Sequence, residues 1–282
     1  MRSLTVAVLA CIVGALMSCS ARPQSAPQSP GVVVTYDQTR LRAPLRGLLY
    51  KPDGAGPFPT VLYSHGSAPG SLNTQAFDVL GPAFVTRGWA MFAPYRRGQG
   101  LSEAAGPYIR DAIGRARLSS GAGGAEREMT RLLTEDHLDD QNAALEWLST
   151  QPFVDSSRIA LAGNSFGGVL TVLGAERTEF CAAVDLAGGA ESWNESPNLR
   201  AAMLAAVRRS RTPVLFIQAE NDYDLGPSRA LHAAALASGR PADIRIYPPF
   251  GASARDGHAF AYRSVASWHG DAMTHLERNC RG

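Results

Sequence analysis

The sequence predicts an α/β protein, with a mainly parallel β-sheet covered by helices on both faces. Three observations lead there. From about residue 60 to the C-terminus, short apolar runs alternate with stretches of helical periodicity, as parallel strands joined by crossover helices do. One run, residues 159–162, ends in Gly163-Asn164-Ser165-Phe166-Gly167 and then turns helical. The 282 residues, 45% hydrophobic and with no internal repeat or break in composition, suffice for one sizeable core.

The chain opens Met1-Arg2-Ser3, followed by an apolar stretch at 4–17 and a polar Pro/Gln/Ser segment, the layout of an export signal. The apolar stretch is shorter than the ~20 residues a helix needs to span a bilayer, so a permanent membrane span is not expected. Leu16-Met17-Ser18-Cys19 resembles a bacterial lipobox, which implies cleavage after residue 18 and a diacylglycerol on Cys19. An ordinary signal peptide, with Cys19 an incidental thiol, is the alternative. Ser20 resembles the outer-membrane sorting pattern. Residues 20–30 hold no aromatic and no aliphatic side chain larger than alanine, so they cannot order themselves. The expected organisation is a signal at 1–18, a tether at 19–31 and one catalytic domain at 32–282, periplasm-facing or anchored at the outer membrane. The net charge is +2 with a single lysine, Lys51, so no basic face points to nucleic acid.

Within the domain, 32–36 and 48–50 read as strands and 52–59 as a turn into a third strand at 60–63, together a β-meander. Helical spacing at 77–87 leads to a buried strand at 89–93 that Pro94 stops. Leu138, Leu145 and Leu148 mark a helix over 133–149, before the strand at 159–162 and a helix beginning near Phe166. Strands follow at 182–185, 214–217 and 244–246, with helices at 228–237 and 262–277. Residues 103–130, rich in Gly and Arg, carry no regular signal and are expected as a long loop at a pocket mouth.

The bend at residues 163–167 is a nucleophile elbow. Its two glycines make room for a strained turn that lifts Ser165 clear of the sheet, onto the positive end of the following helix. A serine hydroxyl needs a base, itself oriented by a third group. Downstream, the loop after the 214–217 strand holds Asp222 and Asp224, and the loop after the 244–246 strand holds His258. Loops beyond the carboxyl ends of parallel strands converge on one site, so Ser165, Asp222 and His258 meet there, Asp224 being the alternative acid. His65, His137, His232, His269 and His275 compete less well for the base, because they precede the serine or fall within helices. The oxyanion donors expected are the N–H groups of Phe166 and of Ser67, with Gly66 close behind and His65 holding neighbouring backbone.

Taken together, Tyr63-Ser-His-Gly66, Pro94-Tyr-Arg-Arg-Gly-Gln-Gly-Leu-Ser102, Gly163-Asn-Ser-Phe-Gly-Gly168, Asp222 and Gly257-His258 resemble the α/β-hydrolases of the dienelactone hydrolase and prolyl oligopeptidase type. The resemblance runs in order over residues 45–275. It implies an α/β-hydrolase fold with an eight-stranded, mainly parallel sheet, and acyl transfer to water through an acyl-serine with no metal or organic cofactor. Dienelactone hydrolase itself uses a cysteine nucleophile, so a serine here points to the family's esterases acting on small-molecule esters. A small-peptide hydrolase of the oligopeptidase type and an idle hydrolase fold that only binds are the alternatives. Arg96 and Arg97, just past a strand end, are candidates to hold a substrate carboxylate, or Arg97 to brace its own loop. Trp193 is either a pocket wall or core. After export, Cys181 and Cys280 remain in an oxidising compartment, both at the sheet end opposite the site, and a disulfide between them is expected; two unpaired thiols are the alternative.

Overall fold

The structure, a computed structural model, describes residues 30–68 and 70–281. The expected signal at 1–18, the Cys19 lipid site and the tether up to residue 29 lie outside these. Strands run β1 (Val32–Tyr36), β2 (Leu45–Tyr50), β3 (Phe58–Ser64), β4 (Ala90–Pro94), β5 (Val154–Asn164), β6 (Ala183–Leu186), β7 (Val214–Ala219) and β8 (Ala242–Tyr247). Helices run α1 (Gly70–Val85), α2 (Ile109–Arg131), α3 (His137–Ser149), α4 (Phe166–Arg177), α5 (Pro197–Arg209), α6 (Gly226–Ala237), α7 (Ala254–Arg263) and α8 (Val265–Asn279).

The strands form one sheet in the order β1-β2-β4-β3-β5-β6-β7-β8. β1–β2 and β2–β4 pair antiparallel and every other pair is parallel. Side chains alternate between two cores with the two-residue period of a strand. Leu62, Phe92, Leu161 and Phe216 face α2 to α6, whereas Val61, Met91, Ala160 and Leu215, each one residue away, face α1, α7 and α8. Strands buried on both sides must be apolar throughout, which is why these runs stand out in the sequence.

Four expectations need correction. The opening is not a meander: β4 lies between β2 and β3, with Gly47 opposite Pro94. The connection at residues 51–57 steps past one strand position, and the crossover through α1 fills the gap. Residues 103–130 are not a loop, since α2 occupies most of them. Its four glycines lower local helix propensity, but Ile109, Ala112, Ala125 and Met129 are buried, and that tertiary contact overrides propensity. The helix breaks at Ser120–Gly121, where Gly121 has φ 68°. The closing helix is two, α7 and α8, divided at Ser264. Finally, α5 had no sequence counterpart in the expected set.

Cys181 and Cys280 form a disulfide with Cα atoms 4.9 Å apart, tying the chain just before β6 to the end of α8. No helix among the described residues is long and apolar enough to cross a membrane.

Candidate active site

Ser165 sits between β5 and α4 with φ 56° and ψ −122°, a conformation that costs a non-glycine residue of order 1–3 kcal/mol unless its surroundings impose it. They do. A Cβ at Gly167 would stand 1.8 Å from the Ser64 carbonyl oxygen, and one at Gly163 would stand 2.4 Å from that of Gly167, so the turn closes only with glycine at both positions. The Ser165 N–H donates to the Leu186 carbonyl at 2.9 Å, tying the elbow to the end of β6.

His258 reaches Ser165 Oγ through Nε2 at 3.0 Å and Asp222 Oδ1 through Nδ1 at 2.9 Å. The Asp222 side chain is fully buried, and it also accepts from the Tyr223 N–H at 2.7 Å and from Gln218 Nε2 at 2.9 Å. Those donors fix its orientation. Asp224, the alternative acid, instead accepts from the Gly226 N–H at 2.7 Å and from Asn194 at 2.8 Å, and makes no bond to His258. His258 lies within α7 rather than in a loop, because Ser253 caps that helix by accepting from the Asp256 N–H. Carboxylate, imidazole and hydroxyl in this order can transfer a proton from serine to histidine while the carboxylate stabilises the imidazolium.

The loop after β3 lies across the elbow. The Gly66 N–H donates to Asn164 Oδ1 at 3.1 Å. That bond occupies Gly66 and leaves the Ser67 N–H as the second oxyanion candidate beside that of Phe166. His65 is buried, and burial together with the nearby Arg96 charge pushes its pKa well below the ordinary histidine value. The Arg96 N–H donates to His65 Nε2 at 3.2 Å, so the ring proton sits on Nδ1, 2.6 Å from the Gly66 carbonyl oxygen that accepts it.

A cleft of about 320 Å³ opens over Ser165, lined by Ser67, Tyr108, Arg110, Tyr223, Arg255 and His258 among others. A cavity of about 600 Å³ lies next to it, between the two limbs of α2 and the 191–196 segment, with Ile113, Met129 and Phe166 on its apolar side. Arg110 and Glu191 line both and are ion-paired at 3.0 Å, so that pair forms the shared wall. The larger cavity does not reach Ser165, so the smaller cleft is where chemistry can occur.

Two sequence candidates do not line either space. Arg97 is engaged by Asp140, with Nη2–Oδ1 2.6 Å, and braces its own loop. Arg96 is buried and donates to backbone carbonyls of the β3 loop. Neither is placed to hold a substrate carboxylate, because the His65 and Gly66 carbonyls occupy the Arg96 guanidinium and Asp140 occupies that of Arg97. Trp193 packs in the core on the α4–α6 side, with the Arg200 guanidinium 5.9 Å from its ring, and touches only a shallow depression beside the cleft. Tyr108, Arg110 and Glu191 were not singled out from the sequence, since they lie in segments without local signals. Asn164 was visible only as the variable position of the elbow.

The family model described as the dienelactone hydrolase family matches residues 45–278. Among solved structures, an esterase of Pyrococcus furiosus is 14% identical with a TM-score of 0.64, over 89% of this chain and 93% of that one. A puromycin-hydrolyzing peptidase of Mycobacterium tuberculosis is 20% identical with a TM-score of 0.64, over 91% of this chain and 42% of that one. The acylaminoacyl peptidase of Pyrococcus horikoshii is 16% identical with a TM-score of 0.59, over 87% of this chain; the matched region spans 41% of that protein. These similarities show a shared α/β-hydrolase fold, to which the match over most of the sequence adds the lineage: this chain belongs to the dienelactone hydrolase family.

Proposed function

We propose that this chain is a serine esterase, hydrolysing small carboxylic esters through an acyl-serine intermediate. The observation that carries the reading is the unbroken series of hydrogen bonds from Asp222 through His258 to Ser165 Oγ, 2.9 and 3.0 Å long, at a sterically enforced elbow. In this mechanism Ser165 Oγ attacks the ester carbonyl as His258 Nε2 takes its proton. The negative charge on the tetrahedral oxygen falls to the N–H groups of Phe166 and Ser67. Collapse expels the alcohol, which receives the proton from His258, and water then attacks the acyl-serine with the same histidine as base. The family's name-giving substrate, a lactone, is a cyclic ester, which supports ester over peptide.

The same reading places the domain, residues 32–282, outside the cytoplasm, held by a lipid on Cys19 after removal of residues 1–18. A Cys181–Cys280 bridge suits an oxidising compartment. The test is intact-protein mass after a fluorophosphonate probe, with the Ser165→Ala form alongside, followed by p-nitrophenyl esters against amino-acid p-nitroanilides. Labelling confined to the protein carrying Ser165, with esters cleaved and anilides untouched, is the expected result. Faster anilide turnover turns the assignment to a peptidase, and an unlabelled folded wild type removes the catalytic reading.

A further inference from the structure

Four consecutive carbonyls of the loop after β3 are held by side chains. The His65 oxygen accepts from Arg96 Nη1, and the Gly66 oxygen accepts from Arg96 Nη2 at 2.9 Å and from His65 Nδ1. The Ser67 oxygen accepts from the Tyr108 hydroxyl, and the Ala68 oxygen accepts from Gln99 Nε2 at 3.1 Å and Asn73 Nδ2 at 2.9 Å. Gln99 Oε1 in turn accepts from Arg96 Nη2 at 3.1 Å. Arg96 and Gln99 both come from the turn after β4, the strand beside β3.

A trans peptide is planar, with its C=O and N–H pointing in opposite directions. Because the Gly66 oxygen is fixed against Arg96 in the interior, the N–H of the same peptide unit, that of Ser67, is directed the other way. Ser67 lines the cleft together with Ser165. The guanidinium itself is buried and forms no ion pair among the described residues; the nearby Asp140 is engaged by Arg97. A buried cation without a carboxylate partner is costly to keep, and here it stands directly behind the peptide that faces the developing oxyanion. Its Nη2 bond to the Gly66 oxygen withdraws charge from that peptide, which strengthens the N–H as a donor.

We propose that Arg96 is the positioning residue of the oxyanion site. It locks the 66–67 peptide with its N–H toward Ser165 and places an unpaired positive charge behind it. A guanidinium is required rather than an ammonium because only its planar fork reaches two successive carbonyls. The proposal rests on the acyl-serine reading, and fluorophosphonate labelling of the wild type tests that reading separately.

The experiment compares wild type, Arg96→Gln, Arg96→Lys and, as a control on the same turn, Arg97→Lys. It uses p-nitrophenyl butyrate kinetics together with inhibition by an alkyl trifluoromethyl ketone, whose adduct with serine carries an oxyanion. Arg96→Gln is expected to lose on the order of 10²-fold in kcat, as removal of one oxyanion donor does, with KM within about threefold. The ketone should weaken in parallel, and Arg96→Lys should recover roughly a tenth of wild-type kcat, because it keeps the charge but one fewer bond. Arg97→Lys should lower the melting temperature and leave kcat within about twofold. A folded Arg96→Gln with wild-type kcat, a loss carried by KM alone, or an Arg96→Lys no better than Arg96→Gln overturns the proposal. Should Arg96→Gln not fold, the lysine form decides by the same kinetic criteria; failure of both to fold makes the residue purely structural and overturns the proposal as well.

Discussion

Asp185, at the end of β6, makes the stability of this protein depend on pH in a direction unusual for a carboxylate. Its side chain is sealed between the first turn of α4 and the loop after β6: a Cβ at Gly168 would lie 2.2 Å from Oδ1. Oδ1 accepts from the Gly188 N–H at 2.8 Å, and Oδ2 has no partner among the described residues. Burial disfavours the charged form and raises the pKa to about 7, the single backbone donor offsetting only part of this. The unfolded chain releases the same proton near 3.9. Between those values the folded state binds more protons than the unfolded one, so stability falls as pH rises from about 4 to about 7 and levels off above. About three pH units at ~1.36 kcal/mol each give ~4 kcal/mol as the full contribution. Asp185→Asn keeps an acceptor for Gly188 and cannot ionise. Urea unfolding of both proteins from pH 4.5 to 8.5, disulfide intact, isolates this group, because every other titration cancels in the difference. The difference should move in favour of the asparagine form by several kcal/mol as pH rises, with equal m-values. A difference constant within ~1 kcal/mol across that range refutes the buried-charge account.

Three further outcomes follow from the site and the fold. Asp222→Asn should lower kcat/KM by on the order of 10⁴, by removing the acceptor that holds the His258 tautomer, while Asp224→Ala, which loses the bonds from Gly226 and Asn194, should cost only about 1 kcal/mol of stability; ester kinetics and thermal melts separate the two. Replacing Cys181 and Cys280 by serine reopens a loop spanning 99 residues, so stability should fall by roughly 4–5 kcal/mol and the melting temperature by on the order of 10 °C, read by calorimetry. Glu191→Ala removes one side of the wall between the cleft and the larger cavity, so turnover of p-nitrophenyl octanoate relative to acetate should rise severalfold, since each methylene newly buried contributes ~0.8 kcal/mol. An unchanged ratio would show that the two spaces do not communicate.

Much of this site was legible along the chain because its signals are local. The elbow announces itself through Gly163 and Gly167, whose missing Cβ atoms the turn physically requires; Asp222 follows β7, whose apolar run marks sheet buried on both faces, and His258 follows the half-buried edge strand β8. The α2 segment was not legible, because its glycines weaken local propensity and its stability comes from contacts with distant residues. Arg96 was misread for a related reason. Its position after β4 is local information, but the direction of its guanidinium depends on which strand lies beside β4.

The sequence by itself determined the α/β class and the elbow, which rest on periodicity and on residue types a few positions apart, and it carried the order serine, acid, histidine and the pairing of the two cysteines as expectations. Only the tertiary structure decided that β4 inserts beside β3, that Asp222 rather than Asp224 meets His258, and that Arg96 turns inward onto the loop carrying Ser67. These are relations between residues about 30 to 36 positions apart, and they exist only once the sheet order places their strands side by side.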